Sequence, residues 1–143
     1  MISYPPLYRP GIFERSFAEH SGYRFSLKQR FWQNMQFFEN DGPCFLVLGG
    51  MAEASPKWIL NNELPVMKLA RKYHAAVFLL EHRFYGKSLP EHGFTMKNLR
   101  FLNIENALHD IKEFINRINE EMRHESGSPQ NWVLFGGSYA GIV

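Results

Sequence analysis

The chain has 143 residues, the length of one domain with room for a sizeable core. Its composition, 45% hydrophobic and 21% charged, is that of a globular protein, and the 15% aromatic share, with 13 Phe, implies large apolar surfaces to be covered. A formal charge of +2 with acidic and basic residues interspersed argues against a nucleic-acid or membrane partner, and no apolar run reaches the ~18–20 residues of a membrane helix.

Met1 to Gly11 carries Pro5, Pro6 and Pro10 and reads as a loose, extended lead-in; it lacks the basic start and apolar centre of a secretory signal. From Lys28 to Phe38 the residues alternate, with Phe31, Met35 and Phe37 against Arg30, Asn34 and Gln36 and Trp32 out of step, which predicts a half-buried antiparallel strand. Asn40-Asp41-Gly42-Pro43 is a turn signal, and the apolar run Cys44–Leu48 predicts a strand buried on both faces. Cys44 has no partner for an internal disulfide and reads as a buried, inert thiol. The run ends in Gly49-Gly50, where backbone can be approached closely.

Ser55-Pro56 opens a predicted helix somewhere between Pro56 and Tyr73, with Leu64, Met67 and Ala70 on one face and Pro65 as a second start. Ala75–Leu80 is another apolar strand, and it runs into the charged, aromatic loop Glu81–Ser88, where Glu81 and Arg83 read as a structural ion pair. The clearest helix spans Ile104–Met122 behind an Asn103 cap; His109 on it reads as a surface or packing residue, Asp110 and Glu113 as a solvated face. Glu125–Pro129 breaks it.

The last complete motif is Trp132–Phe135, read as a buried strand, followed by Gly136-Gly137-Ser138-Tyr139-Ala140-Gly141. Small residues around one serine suit a sharp strand-to-helix turn that lifts the hydroxyl above the sheet and turns the Tyr139 amide toward a developing oxyanion. The strict G-x-S-x-G spacing would put glycine at position 140, where this chain has alanine. Buried strands alternating with helices predict an α/β fold with a mainly parallel sheet, in which the Gly49-Gly50 turn, the 81–88 loop and Ser138 all lie at strand carboxyl ends.

These residues resemble the prolyl-specific serine exopeptidases. The likeness rests on Gln29-Arg30-Phe31-Trp32, Gly42-Pro43, Leu48-Gly49-Gly50, Leu80-Glu81-His82-Arg83-Phe84-Tyr85-Gly86-Lys87-Ser88, Asn98–Leu102, Ala107–Asp110 and Phe135–Gly141, and covers about Ile12 to Val143. It implies the amino-terminal part of an α/β-hydrolase fold over residues 12–143, acyl transfer from Ser138 as nucleophile, oxyanion contacts from the Tyr139 and Gly50 amides, and a turn built on Gly136, Gly137 and Gly141. It also implies peptide substrates with proline near a terminus, no metal or other cofactor, no nucleic-acid or membrane partner, a homodimer for the full-length protein, and a lysosomal or secreted location. Where relatives continue the glycine pair with an acidic and a small residue, this chain has Met51-Ala52-Glu53.

In such hydrolases the acid and the histidine follow the serine along the chain, and none of the six histidines here lies beyond Ser138. The sequence is therefore expected to be an amino-terminal piece, poorly soluble and inactive alone, with the Ser138 strand central in the whole fold. Three competing readings remain. The vacuolar serine carboxypeptidases carry a glutamate where Gly137 stands, lipases and esterases more often show a His-Gly-Gly oxyanion turn where Leu48 precedes the glycines, and the chain could be a non-catalytic interaction fragment.

Overall fold

The computed structural model describes residues 7–39, 42–126 and 130–141. Most of the lead-in, Asn40 and Asp41 of the predicted turn, and 127–129 of the predicted helix break lie outside them. The elements are β1 (Tyr8–Ala18), β2 (Arg24–Asn34), β3 (Cys44–Leu48), α1 (Lys57–Leu60), α2 (Pro65–Tyr73), β4 (Ala76–Leu80), α3 (Met96–Leu99), α4 (Ile104–Ser126) and β5 (Trp132–Phe135), then a 3₁₀ turn at Ser138–Gly141.

One sheet runs β1-β2-β4-β3-β5. β2 is antiparallel to both β1 and β4, whereas β3 is parallel to both β4 and β5. The α/β class is as the pattern predicts, but the sheet is mixed and not mainly parallel: two of its four pairings are antiparallel. The period of two then decides which layer each residue joins. In β4, Ala76, Phe78 and Leu80 face α4 and pack with its Ile111, Phe114, Ile118 and Met122. Val77 and Leu79 face the other way, against Ile59 of α1 and Met67 and Ala70 of α2. Phe114 is wholly buried among Phe13, Phe31 and Phe78, whose ring centroids lie 5.7, 5.1 and 6.0 Å away in edge-on geometry. Such pairs add about 0.5–1.5 kcal/mol each beyond burial.

Local chemistry sets the helix starts. Pro65 occupies the first turn of α2, where its missing N–H is not needed. The Asn103 Oδ1 accepts the Asn106 amide at 2.8 Å and caps α4, a contact worth about 1 kcal/mol. Cys44 is fully buried beside the Met122 sulfur at 3.6 Å, and burial pushes its thiol up to about 12, as an inert core cysteine requires.

Four further expectations are corrected. Residues from Tyr8 onward are not loose: they begin β1, which pairs with β2 along its whole length and accommodates Pro10 because it is an edge strand. β2 spans Arg24–Asn34, four residues earlier than the alternation suggested, because Phe37 and Phe38 pack from a turn after the strand has ended. α4 continues through Ser126, two residues into the predicted break. Finally, β5 is not buried among the described residues: it is an edge strand, with Val133 and Leu134 exposed by 43% and 46%.

Candidate active site

Three parallel strands deliver their carboxyl ends to one place. Leu48 pairs with Leu80, and Val47 with Phe135, so the segments leaving β3, β4 and β5 emerge side by side. The Gly49 amide continues the pairing by donating to the Leu80 carbonyl at 2.8 Å. On the β5 side, the Tyr139 ring lies 5.3 Å from the His82 ring. Gly49 of the predicted turn, His82 of the loop and Tyr139 of the serine segment thus lie at one end of the sheet.

Ser138 follows β5 with a backbone φ of +54°, in the left-handed region that a serine rarely adopts. It opens the single 3₁₀ turn Ser138–Gly141 and is exposed. The neighbouring glycines are not equivalent. A Cβ on Gly136 would come within 2.4 Å of the Ala140 carbonyl oxygen, so that position admits no side chain without moving backbone. A Cβ on Gly141 would sit a tight 3.3 Å from the Gly136 oxygen, whereas one on Gly137 would meet nothing within 4 Å. The bend thus needs Gly136 most and Gly137 not at all for space. Ala140, two residues after the serine, has its methyl buried instead of clashing, which explains why alanine serves here.

The other glycine pair repeats this division. A Cβ on Gly49 would press to 2.9 Å from the Leu80 oxygen, but Gly50 is open, and among the described residues its amide donates no hydrogen bond. Gly137→Ala and Gly136→Ala are therefore expected to differ. The first should leave fluorophosphonate labelling of the intact protein within about threefold of wild type. The second should lower it by about 10²-fold, the order expected when a reacting group shifts by an ångström. Equal rates for the two variants would contradict this account of the turn.

The loop between β4 and α3 is organised by two carboxylates, and neither pairs as the sequence suggested. Glu81 is fully buried and meets Arg30 on β2 instead of Arg83, taking the guanidinium Nε at 2.9 Å and Nη2 at 2.7 Å. It also accepts Ser88 Oγ at 2.6 Å and the amides of Ala54 at 2.9 Å and Lys87 at 3.1 Å. Burial alone would raise the Glu81 pKa, but the hydrogen bonds from Arg30, Ser88 and Ala54 outweigh it and hold the carboxyl below its usual range. Gly86, at φ +57°, lies so close that a Cβ would strike the Glu81 carboxylate at 2.0 Å. Glutamate, glycine and serine at 81, 86 and 88 are thus one clamp, and it reaches the segment after Gly50 through Ala54.

Arg83 pairs instead with Asp110 of α4, bidentate at 2.6 and 2.7 Å, and donates to the Phe101 carbonyl at 2.8 Å. Arg15 of β1 joins Asp110 at 3.2 Å. Asp110 is buried and not on the solvated face; Glu113 and His109 are exposed as expected. A usable signal existed, since Asp110 lies three residues after Ala107 and four before Phe114, inside the apolar stripe.

His82 is only 7% exposed and lies between the rings of Tyr85 and Tyr139. Burial lowers its pKa, helped by the Arg83 charge and opposed by Asp110 and by the bond to the Arg83 carbonyl. The folded state holds His82 neutral while the unfolded chain protonates near the ordinary value of about 6.5. Below that pH the unfolded state binds more protons, so stability falls as pH drops through about 6.5 and is fully present above it. Urea unfolding of the intact protein between about pH 5 and 7.5 should show this slope, and His82→Gln should flatten it. An equal slope in the variant would assign the effect elsewhere.

Comparison with known proteins follows the same residues. The family model described as serine carboxypeptidase S28 matches residues 16–143. The chain is 41% identical over 121 residues to the thymus-specific serine protease of Homo sapiens, covering 84% of this chain and 23% of that protein. It is 36% identical over 118 residues to a protein named as a serine protease in Caenorhabditis elegans, covering 82% and 23%. With the lysosomal Pro-X carboxypeptidase of Mus musculus it shares 31% over 121 residues, covering 82% and 24%. The fold and the family match together define a serine-type peptidase class. The chain belongs to the serine carboxypeptidase S28 family, and spans about a quarter of the length of these relatives.

Proposed function

We propose that this chain is the amino-terminal part of an α/β-hydrolase exopeptidase that cleaves peptides near proline through an acyl-enzyme on Ser138. The observation that carries the reading is the left-handed Ser138, set directly after a parallel strand whose neighbour ends in Gly49-Gly50. An exposed hydroxyl on such a bend can reach a carbonyl carbon that the sheet itself cannot approach. In the proposed reaction the Ser138 oxygen attacks that carbonyl as a histidine takes its proton. The Tyr139 and Gly50 amides bind the resulting oxyanion, and the amine departs with the proton the histidine returns. Water then releases the acyl group by the same steps.

The acid and the histidine of this scheme would follow Ser138 in the chain order of such hydrolases, and no histidine follows it in these 143 residues. His82 does not fill the role in this reading, because its Nε2 is buried and its Nδ1 is bound to the Arg83 carbonyl. The 143 residues alone are proposed to be inactive. Prolyl substrates are inferred from the mouse relative's name, and a lysosomal or extracellular setting from family likeness; among the described residues no helix is long and apolar enough to cross a membrane.

The test is to treat the intact protein with a fluorophosphonate and map the adduct by mass spectrometry. The expected result is one modification, on Ser138. An intact, folded protein that takes no label would favour the non-catalytic reading, and a label on another serine would displace Ser138.

A further inference from the structure

Beside the buried Ala140 of the Ser138 turn, the β2, β3 and β4 segments and α4 line a small cavity. Its walls include Gln29, Gly49, His82, Ala107, Asp110 and Ala140, and it admits the centre of a water molecule over about 20 Å³. One water fills a sphere of about 10–15 Å³, so there is room for it.

The polar atoms in this wall are one-sided. Gln29 is 1% exposed, and its Nε2 donates to the Glu81 carbonyl at 2.7 Å. Reversing the amide would set two oxygens against each other, so its Oε1 must be the other end, and that oxygen is buried without a partner among the described residues. His82 Nδ1 lies 2.7 Å from the Arg83 carbonyl, which only an N–H can satisfy, so the neutral ring keeps its proton there. Its Nε2 is then a bare acceptor, also buried and unpartnered among the described residues. Two acceptors cannot satisfy each other. The nearby Arg83 guanidinium is turned toward Asp110 and the Phe101 carbonyl, and none of its hydrogen bonds reaches either atom. Leaving both atoms bare would cost about 1–3 kcal/mol each.

We infer that this cavity is a binding site for a single structural water, which donates one hydrogen to His82 Nε2 and the other to Gln29 Oε1. The chemistry selects a small neutral double donor. A metal cation or ammonium would add charge beside Arg83, and nothing larger than water fits. The site ties β2 to the exit of β4 immediately under Ala140, and it engages the one His82 nitrogen that could otherwise accept a proton. It stands independently of the chemistry proposed for Ser138.

The test is a crystal structure of the intact protein at a resolution that shows ordered water, with and without Gln29→Leu. The expected result is a peak about 2.7–3.2 Å from both His82 Nε2 and Gln29 Oε1, absent or displaced in the variant. In parallel, ¹⁵N spectra of histidine-labelled protein should show His82 as the Nδ1–H tautomer with a hydrogen-bonded Nε2. A dry cavity, a protein donor seated in it, or the Nε2–H tautomer would overturn the inference. Should Gln29→Leu fail to fold, the wild-type density and the His82 tautomer decide by themselves. Fluorophosphonate labelling is read separately, so failure here and failure of the Ser138 assignment are distinguishable.

Discussion

Ser138→Ala in the intact protein is expected to abolish fluorophosphonate labelling and to lower kcat/KM on a prolyl peptide by about 10⁴–10⁶-fold, with a small residual rate from the oxyanion donors. The fold should not suffer, because Ser138 is exposed. Ser138→Gly sharpens the test. At φ +54° a side chain on residue 138 costs about 1–2 kcal/mol relative to glycine. The glycine variant should therefore be as inactive as alanine yet about 1 kcal/mol more stable by urea unfolding. A stability gain with total loss of turnover is the signature of strain retained for chemistry. If the alanine variant keeps turnover within tenfold of wild type, the nucleophile is elsewhere.

Glu81→Ala is expected to damage the fold severely, at about 3–5 kcal/mol, a large share of the roughly 5–15 kcal/mol that holds an ordinary domain together. The carboxylate is wholly buried, and removing it leaves Arg30 with only the exposed Glu53 and strands the Ser88 hydroxyl and the amides of Ala54 and Lys87. Replacing the pair is a different experiment from breaking it. Glu81→Gln keeps the shape but turns an N–H toward a ring of donors, so it should recover only part of the loss. Arg30→Met in the Glu81→Gln background should recover more, since it removes a cation left with only the exposed Glu53 as counter-charge. Urea denaturation of the four proteins measures this directly. A Glu81→Ala variant within 1 kcal/mol of wild type would mean that the clamp contributes little.

Much of this architecture can be read from residue pattern. Cys44–Leu48 and Ala76–Leu80 are continuous apolar runs because both faces are covered by helices, and the 104–122 stripe is regular because one side of α4 meets the sheet. β1 escaped notice because Pro10, Gly11 and four charged or hydroxyl side chains interrupt it, and an edge strand needs neither continuous hydrophobicity nor every N–H. α3 is four residues long behind a Thr95 cap, too short for any periodicity to show. At the site, the serine bend was legible from its small residues alone. The partners of Glu81 and Arg83 were not. Two residues apart on an extended exit from β4, they extend to different neighbours, Arg30 at 51 positions' distance in sequence and Asp110 at 27. Charge complementarity between near neighbours is a poor guide when long-range partners are buried. Asp110 is the exception, because its place within the apolar stripe was visible in advance.

The β1–β2 hairpin has a mechanical consequence. All eleven residues of β2 pair with β1, but only Phe31–Asn34 continue into β4. The far half is a two-stranded ribbon that leaves the main sheet, secured by an isolated bridge from Leu27 to Pro90 and by Phe25 packing against the Phe84 and Phe101 rings. Ribbons of this kind open on their own, below the threshold for global unfolding. Amide hydrogens near Ala18 and Arg24 should therefore exchange with solvent much sooner than those facing β4, so that one strand carries two distinct protection levels along its length.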